Sequence, residues 1–128
     1  MTTLRPKTMA ELSLRVTNHD PFWAEFKDFL HQLNAHPTPE AVRQAPPPLA
    51  GKIPEGDRMD AYLAATALYL ARRHAWDIPP WVYADNRTLH HPWFLHPAPR
   101  IRNLLIMESP PEFRERNIFV SENALETA

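Results

Sequence analysis

The stretch from Leu89 to Pro97, LHHPWFLHP, places three histidines, a tryptophan–phenylalanine pair and two prolines within nine residues. His90, His91 and His96 are of the type that ligates zinc or another divalent cation, and His74, Asp77 and Asp85 would be further donors. The spacing argues against a metal centre. Adjacent residues on an extended chain point to opposite sides. The helical His-Glu-x-x-His arrangement of a metalloprotease, with its glutamate base, is absent. The expectation is therefore no metal, no cofactor and an anchored loop. Pro92 and Pro97 would fix the backbone, Trp93 and Phe94 would fill a hole in the core or at an interface, and the histidines would stand at the rim. Trp76, Trp81 and Trp93 would form a common aromatic cluster, each burying about 150–250 Å².

Four arginines follow within seventeen residues: Arg100, Arg102, Arg114 and Arg116. Guanidinium groups in such a cluster can meet phosphate or the acidic residues of a partner. Glu108, Glu112 and Glu115 are interleaved, so a solvated, salt-bridged helix surface is the competing account. The expected partner-contact residues are Trp93, Phe94, Arg100, Arg102, Arg114 and Arg116. No catalytic residue is expected. The chain has no nucleophile elbow, phosphate loop or acidic metal cluster, and Ser109 and Ser121 sit in helix-capping contexts. These absences favour a protein that is not an enzyme, with a histidine-metal enzyme as the least favoured alternative.

Composition narrows the class further. The 128 residues suit one domain whose core needs no staple. A net charge of −1 argues against a protein devoted to the phosphate backbone. Without cysteine there is no disulfide, thiol nucleophile or thiolate-ligated zinc. The first residues lack the apolar core of a signal peptide, and no run approaches the length of a membrane span. A soluble, cytoplasmic protein without a membrane partner is expected. Fifteen prolines against two glycines predict helices with stiff connections rather than hairpins.

Those helices must position the loop and the arginines. Thr8 and Glu11 form a capping-box pattern before the face Met9, Leu12 and Val16. Asp20-Pro21 starts a helix with Phe22, Phe26, Phe29, Leu30 and Leu33 on one face and Trp23 beside it. Thr38-Pro39-Glu40 starts a brief helix to about Gln44. The run APPPLAGKIPEG is a stiff connector. A long helix is expected from Asp57, as cap, to about His74, with Asp60 adding first-turn charge. Its two apolar faces make it central or partner-contacting. Val82 to Ala84 reads as extended. A helix over RIRNLLIMES, a turn capped by Ser109 with Glu112, an extended IFVS and a last turn capped by Ser121 through Leu125 complete the chain. The fold class is all-α: a single mostly helical domain over 1–128 with little or no sheet. It comprises an N-terminal helical half (1–45), a Pro-rich connector (46–56) and a C-terminal helical module (57–125).

Three runs, AYLAATALYLARRHAWDIPPWV, LHHPWF and LIMESPPEFRERNIFVSENAL, together resemble a C-terminal module of small bacterial antitoxin-like proteins encoded beside nucleotidyltransferase-like toxins. The resemblance covers about half the chain, residues 60–125. Trp93, Phe94, Phe113, Arg114, Arg116 and Phe119 match its motif positions, to which the family assigns no established role. It implies a non-enzymatic protein-binding module that neutralises a partner toxin by direct contact. Some such proteins add a helix-turn-helix. No such motif is evident over Met1–Pro54, which weighs against the alternative of a small nucleic-acid-binding transcriptional regulator.

Overall fold

The structure, a computed structural model, describes residues 5–95, 98–121 and 125. Its helices, in chain order, are α1 (Met9–Thr17), α2 (Phe22–Ala35), α3 (Glu40–Arg43), α4 (Gly56–His74), α5 (Pro99–Glu108) and α6 (Pro111–Arg114). Two 3₁₀ turns, Pro80–Tyr83 and Asp85–Arg87, follow α4. Strands β1 (Trp93–Phe94) and β2 (Ile118–Phe119) pair in parallel, Trp93 opposite Ile118 and Phe94 opposite Phe119. The chain is thus a mostly helical single domain with a minimal sheet. Among the described residues no helix is long and apolar enough to cross a membrane.

The apolar periodicity of α1 and α2 translates directly into burial. Met9, Leu12 and Val16 are buried from α1, and Phe22, Phe26, Phe29, Leu30 and Leu33 from α2. Thr8 caps α1, its Oγ1 accepting from the Glu11 amide at 3.0 Å. Asp20 does not cap α2. Pro21 occupies that position without a side-chain bond, and Asp20 is exposed.

Helix α4 runs through the centre, which explains why its sequence is apolar around most of its girth. Every residue from Met59 to Leu68 is buried. Its start differs from the expected one. Glu55, in the left-handed region at φ 59°, is the cap residue, and Asp57 lies exposed inside the first turn. Asp60, expected as surface charge, is fully buried. Its Oδ1 accepts from the Leu49 amide at 2.7 Å and its Oδ2 from the Ala50 amide at 3.0 Å. Arg87 completes the clamp, donating to the Pro46 carbonyl at 2.8 Å and approaching Asp60 Oδ1 at 3.6 Å. The Pro-rich connector is therefore fastened to α4 by side chains, which its prolines, lacking N–H groups, could not do for themselves. Both chain halves feed one core, from Met9 to Leu125.

Of the segment Val82–Ala84 only Ala84 is extended; a 3₁₀ turn covers Pro80–Tyr83. The expected tryptophan cluster is dispersed. Trp76 stacks on His74, Trp81 donates to the Val42 carbonyl, and Trp93 joins a different aromatic group. The expected Ser109–Glu112 capping box gives way to two tertiary links. Ser109 Oγ accepts from the Val120 amide at 2.8 Å and lies within donating distance of the Leu105 carbonyl, tying the end of α5 to the chain after β2. Glu112 pairs with Arg72 of α4 at 2.9 Å. Ser109→Ala would leave the buried Val120 amide without its acceptor. Chemical denaturation should then show a loss of about 1–3 kcal/mol. The expected turn from Ser121 through Leu125 falls largely on 122–124, outside the described residues.

Candidate partner-binding groove

Four separate elements converge on one open groove of about 810 Å³, lined by Trp23, Arg58, Pro92, Trp93, Phe94, Leu95 and Arg102. The first turn of α2 supplies Trp23, the first turn of α4 supplies Arg58, β1 and its flanks supply residues 92–95, and α5 supplies Arg102. The floor belongs to a continuous aromatic group. Tyr62 of α4 meets Trp23 at 5.1 Å, Trp93 at 6.2 Å and Phe113 at 5.2 Å between ring centroids. Trp23 and Trp93 stand 6.4 Å apart. Burial pushes the Tyr62 phenol well above its ordinary range, so it stays neutral. Because Phe113 is fully buried beneath this group, the floor is held from below by the core itself.

Two cations lie over rings that line the groove. The Arg58 guanidinium sits 5.4 Å over the Trp93 ring and that of Arg102 5.2 Å over the Phe94 ring. Stacking on an aromatic face fixes a guanidinium while leaving its edge donors available. Arg58 also meets Glu55 at 3.1 Å at the exposed rim. Among the described residues, none that lines the groove is acidic. Phe94 is itself braced by Phe119 of β2, stacked at 4.7 Å.

Helix α5 borders the groove and carries a second unusual feature. Leu105 is buried, but Leu104, Ile106 and Met107 point outward, Met107 with 80% of its surface exposed. Leu104 directly precedes the buried Leu105 along the helix. The structure turns it to solvent, where it continues the outward surface.

The structure thus brings together three of the six expected contact residues, Trp93, Phe94 and Arg102. Arg100 is exposed elsewhere on α5. Arg114 is exposed on α6, its Nη1 3.5 Å from the Ile106 carbonyl. Arg116 belongs to the interior. It donates to the carbonyls of Glu112 at 3.1 Å and Val82 at 2.6 Å, so it fastens the 3₁₀ turn to α6 rather than facing a partner. Burial lowers its pKa, yet it remains a cation in the fold. His90 and His91 are exposed, and His96 lies outside the described residues. Among the described residues no group of three His, Asp or Glu could hold a metal ion.

Trp23 and Arg58 are groove residues that the sequence did not single out. Trp23 had a weak signal, a large aromatic standing just off the apolar stripe of an amphipathic helix. Arg58 had none, since its place over Trp93 depends on a contact between residues thirty-five positions apart. No protein-family model matches the chain, and neither a curated protein nor a solved structure matches it.

Proposed function

We propose that the chain is a non-enzymatic protein-binding module, antitoxin-like in action, that neutralises a cognate toxin in the cytoplasm by direct contact. The observations that carry this reading are the groove and the exposed aliphatic side chains of α5, the helix that supplies Arg102 to it. Aromatic rings and arginines at the centre, with exposed aliphatic side chains alongside, are the composition of protein-interface hot spots. Methionine on an exposed helix face adapts to a partner's contours. The toxin class, nucleotidyltransferase-like, rests on the resemblance of residues 60–125 alone. Such an enzyme has an acidic, nucleotide-using centre, which arginines on this surface would mask.

The test is affinity capture by the full chain from its own host. One protein in stoichiometric amount is expected. It should slow growth when produced alone and be relieved by co-production of this chain. Met107→Lys places a charge in the exposed apolar face without touching the core, and capture should weaken at least tenfold. Capture of nucleic acid alone, with affinity falling steeply between low and moderate salt, would replace this reading with that of a nucleic-acid-binding regulator.

A further inference from the structure

Three features of the groove, taken together, describe its occupant. The groove runs along β1, because Pro92, Trp93, Phe94 and Leu95 all line it. On one side β1 is already paired: the Trp93 amide donates to the Asn117 carbonyl at 2.7 Å and the Leu95 amide to the Phe119 carbonyl at 3.1 Å. In a parallel pair alternate residues direct their backbone groups to opposite edges. The Phe94 N–H and C=O therefore belong to the free edge of β1. Such an edge is a template for one more extended segment. The second feature is charge. Two guanidiniums flank the groove over the rings of the consecutive residues Trp93 and Phe94, and among the described residues no lining side chain is acidic. The third is the exposed indole of Trp23, in contact with Trp93.

We infer that the groove binds an extended acidic segment of a partner protein, laid along the free edge of β1. A carboxylate of the segment meets Arg58, another meets Arg102, and an apolar side chain packs on the exposed indole of Trp23. The inference rests on the protein-binding reading above and names the chemistry of the partner's contact. The argument for this occupant is charge complementarity. An arginine held over a ring has little freedom left to lose on binding, and its edge fits a carboxylate with two parallel hydrogen bonds. The Arg58–Glu55 pair is exposed and worth little, so a partner carboxylate displaces Glu55 readily.

The probe is the blocked peptide acetyl-Glu-Phe-Glu-Leu-Glu-amide, with its lysine-for-glutamate counterpart as control and hexathymidylate as a nucleic-acid competitor. Full-length protein labelled with ¹⁵N is titrated while the indole N–H signals of Trp23 and Trp93 and the Nε–H signals of Arg58 and Arg102 are followed. Saturable shifts of these four are expected with the acidic peptide and none with the lysine peptide. Arg58→Gln and Arg102→Gln should each weaken binding about tenfold, with unchanged unfolding midpoints. Absence of shifts at millimolar acidic peptide, equal shifts with both peptides, or tighter binding of hexathymidylate would overturn the proposal. The double variant R58Q/R102Q separates it from the broader reading. Undiminished capture of the host partner by that variant overturns the groove assignment and leaves partner binding intact. Failure of the wild-type chain to capture any protein overturns partner binding, and the peptide titration still decides the groove.

Discussion

Asp60→Ala is expected to destabilise the fold by about 3–5 kcal/mol, the range seen when one member of a buried ion pair is removed. Neither Asp60 nor Arg87 reaches solvent appreciably, with side chains 0% and 4% exposed. Removing the carboxylate orphans two amides, those of Leu49 and Ala50, and leaves the Arg87 charge without its counter-ion. The pair is an organiser more than a source of stability. Burial pushes the Asp60 carboxyl up and the Arg87 guanidinium down; the two amide bonds and the mutual attraction offset part of each cost. Asp60→Asn should therefore be milder than Asp60→Ala, because an amide oxygen still accepts from one of the two N–H groups. Urea denaturation of the three proteins gives the order directly.

The same group sets a pH dependence of definite sign. The folded-state pKa of Asp60 lies above its unfolded value, so the folded chain takes up the proton first as pH falls. The stability linked to Asp60 is fully present below the ordinary aspartate range and is lost as pH rises through the raised folded value. Measured as the difference between wild type and Asp60→Asn, stability should decline with rising pH across that window. A difference that instead grows with pH would mean that the amides and Arg87 outweigh desolvation.

Helix identity was legible because it follows from local periodicity. The stripes of α1 and α2, and the two apolar faces of α4, each became buried surface. Capping was legible only where it stayed local, as at Thr8. Asp60, Ser109 and Glu112 carry the same residue types as caps and surface charges, but each bonds a segment ten or more positions away. Tertiary partners won over the local ones, and no window of sequence contains both members of such a pair. The groove shows the same division. Its aromatics and Arg102 stood out by type and density, whereas Arg116, chosen on the same grounds, is buried because the Val82 carbonyl needs a donor. The dispersal of Trp76, Trp81 and Trp93 has the same origin. Closeness in sequence does not survive two 3₁₀ turns and the prolines that force them.

Gly56→Ala should be the other large loss, about 3 kcal/mol, although helix propensity alone predicts the opposite. In the first turn of an exposed helix, replacing glycine by alanine gains up to about 1 kcal/mol. Here a Cβ on Gly56 would stand 2.0 Å from the Leu49 carbonyl oxygen, 2.4 Å from its carbon and 2.8 Å from the Ala50 nitrogen. All three are backbone atoms, so no side-chain rotation relieves the overlap. Either the start of α4 or the connector must move, at the upper end of what overpacking costs. The atoms that would move belong to the two residues whose amides Asp60 holds. Gly56→Ala and Asp60→Ala therefore release the same connector by different routes, steric in one case and electrostatic in the other. Their effects should combine to less than the sum by 0.5 kcal/mol or more, whereas independent sites would add within about 0.3–0.5 kcal/mol. A double-mutant cycle in urea reads this coupling. Strict additivity would mean that the close approach at Gly56 and the Asp60 clamp are separate features, and that the connector is held at more than one place.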